Sequence, residues 1–183
     1  MANENGLVTT PGITAMHHRT GDCGVECDTA GRKFFVNVAG VTVFESSGTQ
    51  QKWKGHSAFA GSDIIRVSGA VRTSDNTVTT LLSVEIPSGY AVFANAFVGC
   101  KQVDESDGCV YRVLGAAVNA AGTTALLGTQ NLVAVESASG TSATVVFDVN
   151  DTLDTLRVRV TGISAETWDW VGYVEYFMVN SSS

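Results

Sequence analysis

Apolar and polar positions alternate most regularly between Thr155 and Thr161. The apolar residues there are Leu156, Val158 and Val160, and the residues between them are Arg157, Arg159 and Thr161. A period of two puts one set of side chains on each face of an extended chain. The segment is therefore predicted to be a strand with one buried face and one face in water.

The segment from Trp168 to Met178 differs because both of its faces are apolar. One parity carries Trp168, Trp170, Val174, Tyr176 and Met178, and the other carries Val171, Tyr173 and Phe177. A strand that is apolar on both sides has to be covered on both sides. We expect the two segments to form a β-hairpin, with one side of the second strand in the core. The other side would be covered by another part of the chain or by a second copy.

The rest of the chain from Ser62 onward contains similar short apolar segments. Turn-forming residues separate them, as at Ser74-Asp75-Asn76, Pro87-Ser88-Gly89 and Ala120-Ala121-Gly122. About eight strands at intervals of about 8–12 residues are typical of a sandwich or jelly roll. Residues 62–180 are therefore predicted to be an antiparallel, jelly-roll-like β-sandwich domain.

The first 61 residues are predicted to be a separate N-terminal region. Residues 1–32 are polar and show no periodicity, which predicts an extended arm that becomes ordered by docking. Phe34 to Val38 and Val41 to Val43 flank Ala39-Gly40 and predict a β-hairpin. The segment from Ser46 to Gly61 is predicted to be a loop, and the whole region to be an attachment region.

Composition supports an all-β protein and excludes several function classes. The 183 residues include 26 Val, 20 Thr, 19 Gly and only 2 Pro, which favours strands joined by turns. The net charge is −7 and the 11 basic residues are scattered, so no surface for nucleic acid is predicted. The sequence shows no secretory signal pattern, and no apolar stretch approaches the ~20 residues that span a membrane.

The four cysteines form two pairs along the sequence, Cys23 with Cys27 and Cys100 with Cys109. Without a secretory signal we expect reduced thiols, although Cys100 and Cys109 can also face each other across a hairpin. His17 and His18 lie near Cys23 and Cys27, and His and Cys are zinc ligands. Adjacent histidines point apart in an extended chain, so a polar loop is the favoured interpretation and no metal site is predicted.

Two other clusters carry residue types used in catalysis. Asp104, Glu105 and Asp107 precede Gly108, but a calcium loop needs more ligands, so a solvated turn is favoured. His56 lies near Ser57 and Ser62 without an orienting acid or a Gly-x-Ser-x-Gly elbow. We predict no catalytic residue, no cofactor and no enzymatic activity.

The aromatic side chains of the last strand are the candidate interaction residues. They are Trp168, Trp170, Tyr173 and Tyr176. Aromatic rings stack on sugars, and they also dominate buried protein interfaces. Burial of three such rings contributes on the order of 10 kcal/mol before ordering costs. Core packing together with contact between subunits is favoured over a glycan platform, which remains the alternative.

The part from Ala70 to Met178 resembles a β-sandwich module of structural proteins of tailed bacteriophages. The matching segments are Arg72-Thr73, Thr77 to Thr80, Tyr111-Arg112, Leu126 to Thr129, Leu156 to Gly162 and Trp170-Val171. The resemblance covers about three-fifths of the chain, and Trp168, Asp169 and Tyr176 depart from the module's pattern.

The resemblance implies a virion protein of the capsid-decorating, tail-fibre or tail-spike type, usually a trimer. The implied function is structural, with oligomerisation through the sandwich and docking of the N-terminal arm on other capsid or tail proteins. The alternative is a carbohydrate-binding module that recognises glycans on the host surface.

Overall fold

A computed structural model describes residues 7–10, 13–17, 24–28, 33–38, 41–47, 50–53, 63–103, 105–137 and 142–180. Side chains are described for Phe44, Ser46, 50–53 and the ranges from residue 63 onward. The chain divides into two compact units, Met1–Arg66 and Val67–Ser183. The described residues form no helix long and apolar enough to cross a membrane.

The described residues of the first unit form six short strands. They are β1 (Leu7–Thr10), β2 (Ile13–His17), β3 (Gly24–Asp28), β4 (Lys33–Val38), β5 (Val41–Ser47) and β6 (Gln50–Trp53). Each of β1 to β5 pairs with the following strand in antiparallel fashion. The pairing of Val38 with Val41 confirms the predicted hairpin around Ala39-Gly40.

Two stretches of this unit differ from their sequence-based predictions. Strands β1, β2 and β3 lie within residues 1–32, which were expected to be an arm, and β6 lies within the predicted loop after Ser46. These strands are only four or five residues long, too short to show periodicity, and are defined by pairing with their neighbours. The predicted boundary between residues 61 and 62 stays a prediction.

The second unit contains most of β7 and the remaining eight strands. Their bounds are β7 (Ile64–Thr73), β8 (Val78–Glu85), β9 (Tyr90–Gln102), β10 (Gly108–Ala120), β11 (Thr123–Leu126), β12 (Asn131–Glu136), β13 (Thr144–Asn150), β14 (Thr155–Thr161) and β15 (Trp168–Asn180). The larger sheet has the order β7-β15-β9-β10, and both β11 and β12 pair with β10. The smaller sheet has the order β13-β14-β8. This arrangement confirms the all-β sandwich.

The expected hairpin between β14 and β15 is wrong. β14 pairs with β8 and β13 in the smaller sheet, whereas β15 pairs with β9 in the larger one. The connection from Gly162 to Thr167 therefore crosses from one sheet to the other. Both strands therefore contribute one face to the core, each from a different sheet.

The core lies between the two sheets. Large side chains from both sheets are fully buried there, among them Trp168, Trp170, Tyr111, Phe147 and Leu156. Gly115 permits the close approach of the sheets, because a Cβ at this position would lie 2.8 Å from Cδ2 of Phe147.

The buried side chain of Asn119 is hydrogen-bonded at both its nitrogen and its oxygen. The side-chain amide of Asn119 is fully buried; its Nδ2 donates to Ile86 O at 2.8 Å, and its Oδ1 accepts from Gly122 N at 2.8 Å. These bonds stabilise the turn at Ala121 and Gly122, which have φ of 55° and 86°. Positive φ at both residues is typical of a type I′ hairpin turn.

Candidate interaction surface

Strand β15 places its two sets of apolar side chains on opposite faces of the larger sheet. Trp168, Trp170, Val174 and Tyr176 point into the core and are at most 6% exposed. Val171 and Phe177 point outward and are 63% and 43% exposed. Tyr173 also points outward and is half-buried. The predicted alternation along β15 is therefore confirmed.

The four candidate residues do not share a face. Trp168 and Trp170 are fully buried within one copy of the chain, and Tyr176 is nearly so. Their rings are therefore unavailable to a sugar or to a second copy in this conformation, and of the four only Tyr173 lies on the outer side. Two roles were proposed for these four residues, a contact between subunits or a glycan platform. Both roles stay predictions, and they now rest on Tyr173 and its outward neighbours.

Specific contacts explain why the tryptophans lie inside. Trp170 Nε1 donates to Thr73 Oγ1 at 2.9 Å, and its ring stacks on Tyr111 with a centroid distance of 6.3 Å. Trp168 Nε1 donates to Glu166 Oε2 at 2.9 Å. Both indole donors are thus satisfied, as burial requires.

The outward side of the larger sheet forms what we call the outer apolar face. Its members are Val171, Tyr173, Phe177 and Val179 on β15, Phe93 and Phe97 on β9, Val110 and Leu114 on β10, and Val133 and Val135 on β12. Phe93 stacks on Phe177 at a centroid distance of 5.3 Å, and Phe97 stacks on Tyr173 at 5.7 Å. In each pair the rings are nearly parallel, so each ring covers one face of its partner.

The area of this face is large for a surface exposed to water. Nine of its ten members are 40–72% exposed. At about 150–200 Å² for a large apolar residue, they leave roughly 650–900 Å² exposed. The largest apolar patch on a typical monomer is about 300–600 Å², and each partner in a standard interface contributes about 800 Å². The outer apolar face therefore has the size of one side of an interface.

A short polar row crosses the middle of the outer apolar face. Glu175 on β15 is paired with Asn95 on β9, and Arg112 on β10 donates from Nε to Asn95 Oδ1 at 3.0 Å. A second polar pair lies near the start of β15. Arg72 donates to both carboxylate oxygens of Asp169 there, at 2.6 and 2.8 Å. The Arg72 hydrogen bonds hold the pKa of Asp169 below its ordinary value.

The outward side of the smaller sheet has the opposite character. Arg157 on β14 donates to both oxygens of Asp148 on β13 at 2.7 Å each, and Arg159 adds a third bond at 3.2 Å. Val146 is exposed there but lies next to these charges, directly opposite Arg159. This side suits water, so the two outer faces of the sandwich differ in chemistry.

The cysteines of the second unit lie inside the sandwich. Cys100 and Cys109 are directly paired residues of β9 and β10, and both are buried free thiols. Burial, together with the neighbouring Cys109, raises the pKa of the Cys100 thiol from an ordinary 9.0 to about 12. Such thiols are poor nucleophiles at neutral pH.

The described residues do not assemble any of the other predicted clusters into a metal site. Among the described residues no three His, Cys, Asp or Glu side chains converge on a point where a metal could bind. Glu105 and Asp107 lie in the β9–β10 turn, whereas Asp104 lies outside the described residues. The side chains of His17, His18, Cys23 and Cys27, and the residues His56, Ser57 and Ser62, also lie outside the described part.

Comparisons with known proteins identify no family. No family model matches the chain, and no curated protein matches it. Among solved structures, it resembles a tailspike protein of Acinetobacter baumannii phage AM24, with 9% sequence identity and a TM-score of 0.36. The match covers 63% of this chain and 26% of that protein, so it spans about a quarter of the tailspike. A likeness at this level carries no argument about family or activity.

Proposed function

We propose that this chain is a non-enzymatic structural protein of a bacteriophage virion, of the capsid-decorating, tail-fibre or tail-spike type. It associates with further copies of itself, as a trimer, through the outer apolar face of its sandwich. The N-terminal region docks it on other capsid or tail proteins. Support for the virion context comes from the sequence resemblance of Ala70 to Met178 to phage sandwich modules.

The contrast between the two outer faces is the observation that carries the self-association. One side of the sandwich displays ion pairs among Asp148, Arg157 and Arg159. The other displays stacked aromatic pairs and exposed valines, with an Arg-Asn-Glu row across its middle and the Arg72–Asp169 ion pair at its edge. Aromatic residues and arginine are enriched in protein interfaces, whereas charged residues are depleted from interface cores. A protein that functions alone in water has no need for such an asymmetry.

The glycan alternative has less support. A platform needs ring faces that a sugar can approach, and three of the four proposed rings are buried. The outward rings each have one face covered by a stacked partner. A glycan array with the folded chain tests this alternative directly, with Tyr173→Ala as the variant that should lose binding if a sugar stacks there.

A matched pair of variants tests the proposed interface. Val171→Glu puts a carboxylate on the outer apolar face, and Val146→Glu makes the same change on the polar side. Burial of an unpaired charge costs several kcal/mol. We expect light scattering to return the single-chain mass of 19.2 kDa for Val171→Glu and the assembled mass for Val146→Glu. Equal masses for the two variants would contradict the proposal.

The virion context needs a separate measurement. Purified particles of the phage that encodes this chain should contain it in a fixed copy number, as measured by quantitative mass spectrometry. Its absence from purified particles would refute the virion role without affecting the self-association.

A further inference from the structure

The outer apolar face contains a hollow whose floor is a glycine. Gly99 lies on β9 between Val171 on β15 and Val110 on β10, its direct register partners. The hollow is lined by Phe97, Val171 and Tyr173 around Gly99, with Ser68, Lys101 and Asp169 as its polar members, and has a volume of about 550 Å³. This is more than one large apolar side chain occupies.

The backbone does not require a glycine at this position. Gly99 lies inside a 13-residue strand, three residues before its end, and does not have positive φ. A Cβ added there would meet only Cys109 O, at 4.0 Å. Glycine weakens strands because it has no side chain to pack, and such a glycine often marks a close approach by another group. The absence of a side chain at Gly99 leaves the hollow open.

The lining of the hollow favours an apolar occupant. Its apolar members are aromatic and aliphatic, and of its polar members Asp169 is already paired with Arg72. Sugar and cofactor sites of this volume hold several polar groups that converge on the ligand. The aromatic and aliphatic side chains around Gly99 are instead typical of the anchor positions of protein interfaces.

We propose that the hollow at Gly99 receives an apolar side chain from a second copy of this chain. This inference rests on the proposed function, because it names the anchor point of the same interface. The exposed area around the hollow equals the share of one partner in a standard interface. The lining includes both signs of charge, Lys101 and Asp169, and Asp169 is paired with Arg72, so two copies can approach without confronting one sign with itself.

The test is Gly99→Val in the full chain. Valine fills the floor of the hollow, so the dissociation constant of the assembly should rise at least about tenfold, which corresponds to about 1.4 kcal/mol. Gly99→Ala, which adds a single methyl group, should give a smaller rise. The melting temperature of the dissociated chain should be unchanged or higher, because valine suits a strand better than glycine.

The matched control is Ser83→Val, which adds the same side chain to an exposed position of β8 opposite Arg157. It should leave the dissociation constant unchanged. Light scattering over a dilution series measures all four proteins, and circular dichroism checks that each is folded.

The outcomes separate the inference from the proposed function. If the wild type assembles and Gly99→Val assembles equally well, the hollow is not the anchor point, while the interface stands. If the wild type is monomeric at every concentration, both fail. If Gly99→Val abolishes binding on a glycan array at an unchanged mass, the occupant is a sugar and the inference is overturned.

Discussion

Truncation of Trp170 tests whether the inward aromatic side chains of β15 belong to the core of a single chain. The indole is fully buried, stacks on Tyr111 and donates to Thr73. Removal of a Trp side chain from a core costs about 3–5 kcal/mol. The orphaned hydroxyl of Thr73 adds about 1 kcal/mol. We therefore expect Trp170→Ala to lower the free energy of unfolding by about 4–6 kcal/mol.

The assay is thermal unfolding followed by circular dichroism at a fixed chain concentration. For a chain of this length each kcal/mol corresponds to roughly 2–4 °C, so the melting temperature should fall by about 8–24 °C. Trp170→Phe keeps most of the buried ring and loses the hydrogen bond. This variant should therefore lower the free energy of unfolding by about 1–3 kcal/mol. Leu153→Ala, which truncates a 66% exposed turn residue, is the control and should change little.

Mass measurements on the same variants complete this test. If Trp170 contacted a second copy instead of the core, Trp170→Ala would lower the mass of the assembly and leave the stability of the dissociated chain unchanged. That result would refute the placement of β15 described above.

Three further predictions concern other parts of the chain. Asn119→Ala leaves Ile86 O and Gly122 N without their side-chain partner, so it should cost about 2–4 kcal/mol in the same unfolding assay; a loss below 1 kcal/mol would contradict the buried network. Since burial raises the pKa of Cys100 to about 12, iodoacetamide at neutral pH should label its peptide much more slowly in the folded chain than in denaturant, and equal rates would show an accessible thiol. Deletion of residues 1–32 should leave the sandwich of Val67–Ser183 folded and abolish attachment to particles; a truncated chain without its melting transition would show that these residues belong to the fold of the second unit.

The alternation of apolar residues was sufficient to predict most strands of the sandwich. Strand β14 follows its predicted pattern, with Leu156, Val158 and Val160 buried. A period of two is a local property, so it is visible without knowledge of the partner strands. The pairing of strands is not local, and for that reason the predicted hairpin of β14 with β15 was wrong.

The sequence alone also did not predict which face of β15 lies in the core, because both of its faces are apolar. The deciding factor is the neighbouring strand β9, which places the small residues Ala94 and Ala96 beside Tyr176 and Val174 on the inner side. Its larger residues, Phe93 and Phe97, lie outside and stack on Phe177 and Tyr173. The alternation of Ala and Phe along β9 was a usable signal once the pairing of β9 with β15 was known.

The mass of the wild-type chain in solution tests the proposed self-association without any substitution. Light scattering at micromolar concentration, in low and in high salt, should return about three times the chain mass of 19.2 kDa in both buffers, because apolar contacts resist screening. A mass of one chain in both buffers would show that the outer apolar face has no partner of its own kind, and would contradict the proposed self-association.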